Sequence, residues 1–197
     1  QDGYAVLCFE NENLRAIAKT IDRKYYSYAI DYPADYQAKN IRTEGKGIAF
    51  DVVHGAEMLG HVTLNIPGRH NVLDALACIV TGLSIGVPFP KMAAGLAAFH
   101  GAKRRFQTKG HVRGVWIVDD YAHHPTEIAA TLKAARETAP KRLICAFQPH
   151  RYSRTQLLAK EFGRAFVSAD ILVLTDVYSA GEAPIPGISG ETIRAEV

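Results

Sequence analysis

Val115-Trp-Ile-Val-Asp-Asp-Tyr-Ala-His-His-Pro-Thr-Glu127 carries a short apolar run straight into a polar loop and a proline-led helix start. The run suits a strand, and Pro125 suits a first helical turn, where its missing N–H costs nothing. The same order returns twice. A strand expected over 142–147 leads into Gln148-Pro-His-Arg-Tyr-Ser-Arg-Thr155, and one over 171–175 into Asp176-Val-Tyr-Ser-Ala-Gly-Glu182. Helices expected at about 125–138 and 154–168 complete the alternation. Strands and helices in that order predict an α/β fold with a parallel, doubly wound sheet, entered through a strand pair at 105–112 and 115–119. Ligands of such sheets bind beyond the carboxyl ends of the strands, where loops and helix N-termini meet. The three polar loops therefore belong on one edge, and that edge is the candidate site.

Upstream the rhythm differs. Strands are expected at 4–9, 25–30, 37–42, 48–53 and 61–66, the last three as a small antiparallel set turned at Gly45-Lys46-Gly47 and Gly55. Helices are expected at about 11–20, where Asn11 or Asn13 supplies the cap, and through Val72, Leu76, Ile79, Val80 and Leu83 to a stop at Gly86. A further helix starts at Pro90 and runs to about Phe99. The segment 100–103 marks the change, dividing the chain into domains 1–100 and 101–197.

The chain has 197 residues, 48% hydrophobic and 22% charged, which excludes a disordered or disulfide-stapled protein. Its longest apolar stretch, 72–89, is broken by Asp74, two glycines and Pro88, so no membrane partner is expected. A net charge of +3 is too mild for a nucleic-acid partner. Cys8, Cys78 and Cys145 are far apart in apolar runs and read as reduced core residues of a cytoplasmic protein. Gln1 at the start reads as the interior of a longer chain. An open sheet edge leaves a homodimer open.

Arg151 and Arg154 stand three apart at a helix start, where two guanidinium forks and unpaired helix amides suit one phosphate or carboxylate; the bland alternative is two solvated arginines. Asp119 and Asp120 suit a ribose or a cation, or cap the next helix. Adjacent His123 and His124 cannot both reach one metal from a helix face, and no metal site is expected. Gly68-Arg-His-Asn71 reads as a glycine turn with an Asn cap. Lys103-Arg-Arg105 is a short basic run suited to a phosphate. There is no G-x-x-x-x-G-K-[ST] loop, G-x-G-x-x-G turn or G-x-S-x-G elbow.

Five stretches together resemble the Mur ligase family: 67–77 (Pro-Gly-Arg-His-Asn-Val-Leu-Asp-Ala-Leu-Ala), Lys103-Arg-Arg-Phe-Gln107, 119–127, 147–155 and Val177-Tyr-Ser-Ala-Gly-Glu182. The resemblance covers essentially the whole chain. It implies that 1–100 is the later part of a central ATP-binding domain and 101–197 the first part of a Rossmann-like C-terminal domain. It implies ATP and Mg²⁺, with UDP-N-acetylmuramate and L-alanine joined through an acyl phosphate. By resemblance His70 and Asn71 meet the adenine, Arg105 the phosphates and Asp120 the ribose or phosphate region. His123, His150, Arg151 and Arg154 then face the acyl phosphate and the amino acid. The family's phosphate loop and Mg²⁺ ligands are expected before Gln1, so these 197 residues alone are not expected to ligate. Asp74 stands where the family has Asn, and Ser179 where it has Ala. A murein-peptide recycling ligase and a non-catalytic nucleotide-binding domain are the rival readings.

Overall fold

A computed structural model describes residues 3–197, which divide into two compact units, one ending at Gly101 and the other running from Ala102 to Val197. In the first, β1 (Ala5–Cys8), β2 (Tyr25–Ala29), β3 (Tyr36–Glu44), β4 (Gly47–His54) and β5 (Glu57–Leu64) form one sheet in sequence order. β1 to β3 run parallel, while β3, β4 and β5 are antiparallel, so the expected antiparallel set supplies three of the five strands of a larger mixed sheet. Between β1 and β2, α1 (Glu12–Ala18) starts where the Asn11 side chain accepts the Asn13 and Leu14 amides.

Period-two alternation in β4 turns Ile48, Phe50 and Val52 toward α2 (Arg69–Ser84), whose Val72, Leu76 and Ile79 answer at helical spacing. The helix α3 (Phe89–Ala98) closes that core with Met92. A Cβ on Gly82 would stand 2.2 Å from Met92 Sδ, so this glycine sets how closely α2 and α3 approach. Cys78 falls on the outward face of α2 with Asp74 and is exposed, and Cys8 and Cys145 are half-buried. The expected set of three core thiols is thus corrected: helical phase places Val72, Leu76 and Ile79 inward and Cys78 outward. Burial pushes the Cys145 thiol up to about 11.

In the second unit β6 (Gln107–Val112) and β7 (Val115–Asp119) make an antiparallel hairpin. β8 (Ile144–Phe147) and β9 (Ile171–Leu174) make a separate parallel pair. The strands alternate with α4 (Pro125–Glu137), α5 (Tyr152–Leu157), α6 (Ala159–Ala165) and the short α7 (Gly190–Arg194). One helix was expected at 154–168; two are found, starting earlier and meeting at Leu158. Thr155 Oγ1 donates back to the Arg151 carbonyl at 2.8 Å, a bond that bends a helix in its first turn. Phe147, Phe162, Phe166 and Ile193 form the core against Ile128 and Leu132 of α4. No described helix is long and apolar enough to cross a membrane.

Candidate active site

The loops after β7, β8 and β9 hold the candidate residues of the second unit, and side-chain contacts join them. β7 pairs with β6 rather than β8, so no shared ladder brings the first loop to the second. The link is made by the His123 and His150 rings, whose centroids stand 5.8 Å apart. His150 also meets Tyr178 of the third loop at 5.4 Å, and Arg154 reaches back to His150 Nδ1 at 3.5 Å. Four of the expected residues, His123, His150, Arg151 and Arg154, therefore cluster within the second unit. Burial, then the Arg154, His123 and Arg151 charges, hold His150 below the usual imidazole value, so a neutral ring faces two guanidinium groups.

In the first of these loops His124 is the N-cap of α4, its Nδ1 accepting the Thr126 amide at 3.3 Å. Glu127 completes the reciprocal cap, accepting the His123 and His124 amides at 3.1 and 3.2 Å. Burial pushes the Glu127 carboxyl up, but those amides, with His123 and Arg105, outweigh it and hold the group below the ordinary glutamate value. The capping alternative for Asp119 and Asp120 is corrected accordingly: the helix is capped by His124, one residue before Pro125. Asp120 instead accepts the Phe106 amide at 2.8 Å and the Ala122 amide at 2.7 Å, pinning the 104–106 turn to the loop. That turn holds Arg105 3.6 Å from Glu127, with its side chain half exposed. Arg104 pairs with Asp119 at 3.6 Å and lies over the Tyr121 ring.

Around β8 the expected unpaired helix amides are also corrected. Glu182 accepts the Ser153 amide at 3.0 Å, so that amide is already paired within the protein. Arg151 precedes α5 with a positive φ of 74°. Neither Glu127 nor Glu182 was singled out for a role by the sequence. The N-cap-to-Glu spacing from His124 to Glu127 would have pointed to the first, whereas Glu182 acts on a residue 29 positions away and leaves no local signal.

His70 and Asn71 lie in the first turn of α2, within the first unit. Gly68, at φ 103°, begins the helix without a side-chain cap. The Asn cap is thus also corrected: Asn71 sits inside the helix and its Nδ2 donates to the Pro67 carbonyl at 2.6 Å, 3.1 Å from His70 Nε2. Arg69 beside them donates from one guanidinium nitrogen, Nη2, to both carboxylate oxygens of Asp31, at 2.7 and 2.8 Å. A cavity of about 830 Å³ in this unit, lined by Tyr4, Arg23, Lys24 and Tyr26 among others, opens at the amino ends of β1 and β2 and includes none of the expected site residues.

The Mur ligase middle domain matches residues 1–82, and the Mur ligase, glutamate ligase domain matches residues 104–197. The chain is 47% identical to UDP-N-acetylmuramate–L-alanine ligase of Geotalea uraniireducens over 99% of its own length and 43% of that protein's. The chain thus spans less than half of that relative. Among solved structures, UDP-N-acetylmuramate-alanine ligase from Thermotoga maritima is 28% identical, with a TM-score of 0.71 over 87% of this chain and 36% of that one. A murein peptide ligase from Psychrobacter arcticus is 27% identical, with a TM-score of 0.65 over 98% and 40%. With both of its units matched by domains of one family and its fold shared with these enzymes, the chain belongs to the Mur ligase family.

Proposed function

We propose that this chain is part of a UDP-N-acetylmuramate–L-alanine ligase, which spends ATP to form an amide during peptidoglycan biosynthesis in the cytoplasm. The observation that carries the reading is the His123, His150, Arg151 and Arg154 cluster on two adjoining segments, with Tyr178 of a third loop against His150, in a chain nearly half identical to ligases of that name. The muramyl carboxylate oxygen attacks the γ-phosphorus of ATP and ADP leaves. The alanine nitrogen then attacks the acyl carbon, and the carbon–oxygen bond to phosphate breaks.

Each step moves negative charge onto oxygen, so fixed cations are the chemistry required. Arg151 and Arg154 offer guanidinium forks to the acyl phosphate or the amino-acid carboxylate. His150, held neutral, can accept a proton from the attacking amine, and His123 lies beside it. Arg105, half exposed and only loosely paired with Glu127, suits the ATP phosphates. Asp120 bonds two backbone amides, so its support for the ribose and phosphate region runs through the 104–106 turn, with its remaining lone pairs open to a hydroxyl. His70 and Asn71 suit an adenine edge.

Among the described residues no three His, Cys, Asp or Glu side chains group as a metal site, and Mg²⁺ would enter with the ATP phosphates, whose oxygen charge it would neutralise. The test is phosphate release by the full-length protein with ATP, Mg²⁺, UDP-N-acetylmuramate and either L-alanine or a muropeptide-derived tripeptide. Alanine-dependent release supports the reading, and release only with the tripeptide supports the recycling ligase instead.

A further inference from the structure

The loop after β9 does more than close the candidate site. Ser153 lies in the first turn of α5, where backbone amides have no partner inside the helix. Glu182 Oε2 accepts its amide at 3.0 Å, and Oε1 accepts its hydroxyl at 2.6 Å. Oε1 also stands 3.8 Å from an Arg151 guanidinium nitrogen. The two loops are stitched a second time through the backbone: the Arg151 amide donates to the Tyr178 carbonyl and the Tyr178 amide to the Pro149 carbonyl, both at 2.8 Å. These ties bracket Arg151, whose left-handed backbone is held only because its surroundings impose it.

Resting on the alanine-ligase reading, the geometry points to Glu182 as a positioning residue whose carboxylate fixes the first turn of α5 and so aims the Arg151 and Arg154 guanidinium groups. Its chemistry suits that task. A carboxylate accepts both Ser153 donors at once, one on each oxygen, and its charge offsets part of the repulsion between Arg151, Arg154 and any protonated histidine beside them. Arg154 is left for the substrate: no carboxylate pairs with it among the described residues. Glutamine keeps the shape and one acceptor oxygen but loses the charge and one bond, whereas alanine loses all three contacts.

The test uses the full-length protein with Glu182→Ala and Glu182→Gln, each substrate varied in turn. Glu182→Ala should lower kcat/KM for L-alanine by about 10- to 100-fold while the KM for ATP stays within about twofold, and Glu182→Gln should recover part of the loss. Unchanged kinetics in Glu182→Ala overturn the proposal. Equal loss toward every substrate, with no recovery in Glu182→Gln, also overturns it by marking a purely structural contact. Amide hydrogen exchange gives a readout apart from turnover: Glu182→Ala should release Ser153 while leaving α4 protected. If the unaltered protein adds no alanine, the activity reading fails by itself; unchanged protection at Ser153 overturns the positioning role whatever the activity.

Discussion

The two units spend their apolar residues differently. In the first, Phe50, Val52, Val72, Leu76 and Ile79 are fully buried between one sheet and two helices. In the second, Phe147, Leu172 and Leu174 face a core, but on the opposite face of the same two strands Ile144 is 51% exposed and Val173 49%. Parallel strands are normally covered on both sides, so this pair is half dressed. The first unit is held chiefly by packing, while the loops of the second are held by directed bonds such as those of Glu127, Glu182 and Asp120. Substitutions should therefore separate: core changes in the first unit cost folding, and charge changes in the second cost function.

The largest effect belongs to Phe50→Ala. Emptying a fully buried phenylalanine costs roughly 3–5 kcal/mol, a large share of the 5–15 kcal/mol that holds a typical domain. Denaturant unfolding, with hydrogen exchange assigned to each unit, should show the first unit destabilised by that amount. Phe162→Ala should cost less, because its smaller core can relax toward a solvent-facing side. A greater loss from Phe162→Ala would reverse the ranking of the two cores.

Next comes Arg154→Ala in the full-length protein, where the comparison predicts the opposite profile. Removing one charge-assisted contact to an anion should cost about 1.5–3 kcal/mol in kcat/KM for alanine addition. Thermal stability should barely move, since surface charge contributes little to folding. Arg151→Ala should follow the same pattern more weakly, because Glu182 already shares its charge. Normal turnover in Arg154→Ala would remove this residue from the site.

What could be read in advance divides along the same line. Strand and helix positions in the first unit follow from local periodicity, because a covered sheet face and a helix stripe impose spacings of 2 and 3.6. The polar loops of the second unit were legible as a candidate site because each directly follows an apolar run. Their internal wiring was not. Asp120, for which the sequence offers a ribose, a cation or a helix cap, bonds Phe106, 14 residues away, and the α5 amide expected to await a ligand is held from Glu182, 29 residues away. Side-chain-to-backbone bonds across loops carry no periodicity, and so leave nothing to count. The break at Leu158 was hidden for a related reason, since Thr155 folds back on Arg151 without changing the apolar pattern.

A smaller effect tests packing within the first unit alone. Gly82→Ala places a Cβ 2.2 Å from Met92 Sδ, while a Cβ at Gly95 in α3 meets nothing within 4 Å. Alanine in a helix is favoured over glycine by about 0.8–1.0 kcal/mol, so Gly95→Ala should gain close to that. Overpacking costs about 1–3 kcal/mol, which outweighs the gain at Gly82 and should leave a net loss of about 1 kcal/mol. Melting temperatures that rise for both variants would show that Met92 yields without cost.

The smallest effect is acid sensitivity, and it compares the units once more. Asp51 in β4 is held below the usual carboxylate value first by the Asn40 amide at 2.8 Å and then by His61 at 2.9 Å. Asp170 is held down first by the Leu143 amide at 2.6 Å and then by Arg136 at 2.9 Å. A carboxyl with a depressed folded value stabilises the protein fully above its unfolded value of about 3.9 and loses that contribution as pH falls through the folded one. Melting temperature should thus be insensitive to either group from pH 7 to about 5 and fall below about pH 4. The partners of Asp51 lie on strands already joined by backbone ladders, β3 to β4 and β4 to β5. Asp170 instead ties the residue before β8 to the residue before β9, and to Arg136 of α4, where the pair has few neighbours. Asp170→Asn should therefore flatten the acid limb more than Asp51→Asn, because the asparagine keeps an acceptor for Leu143 but gives up the charge facing Arg136. An equal response from the two variants would show that the parallel pair of the second unit does not depend on this tie.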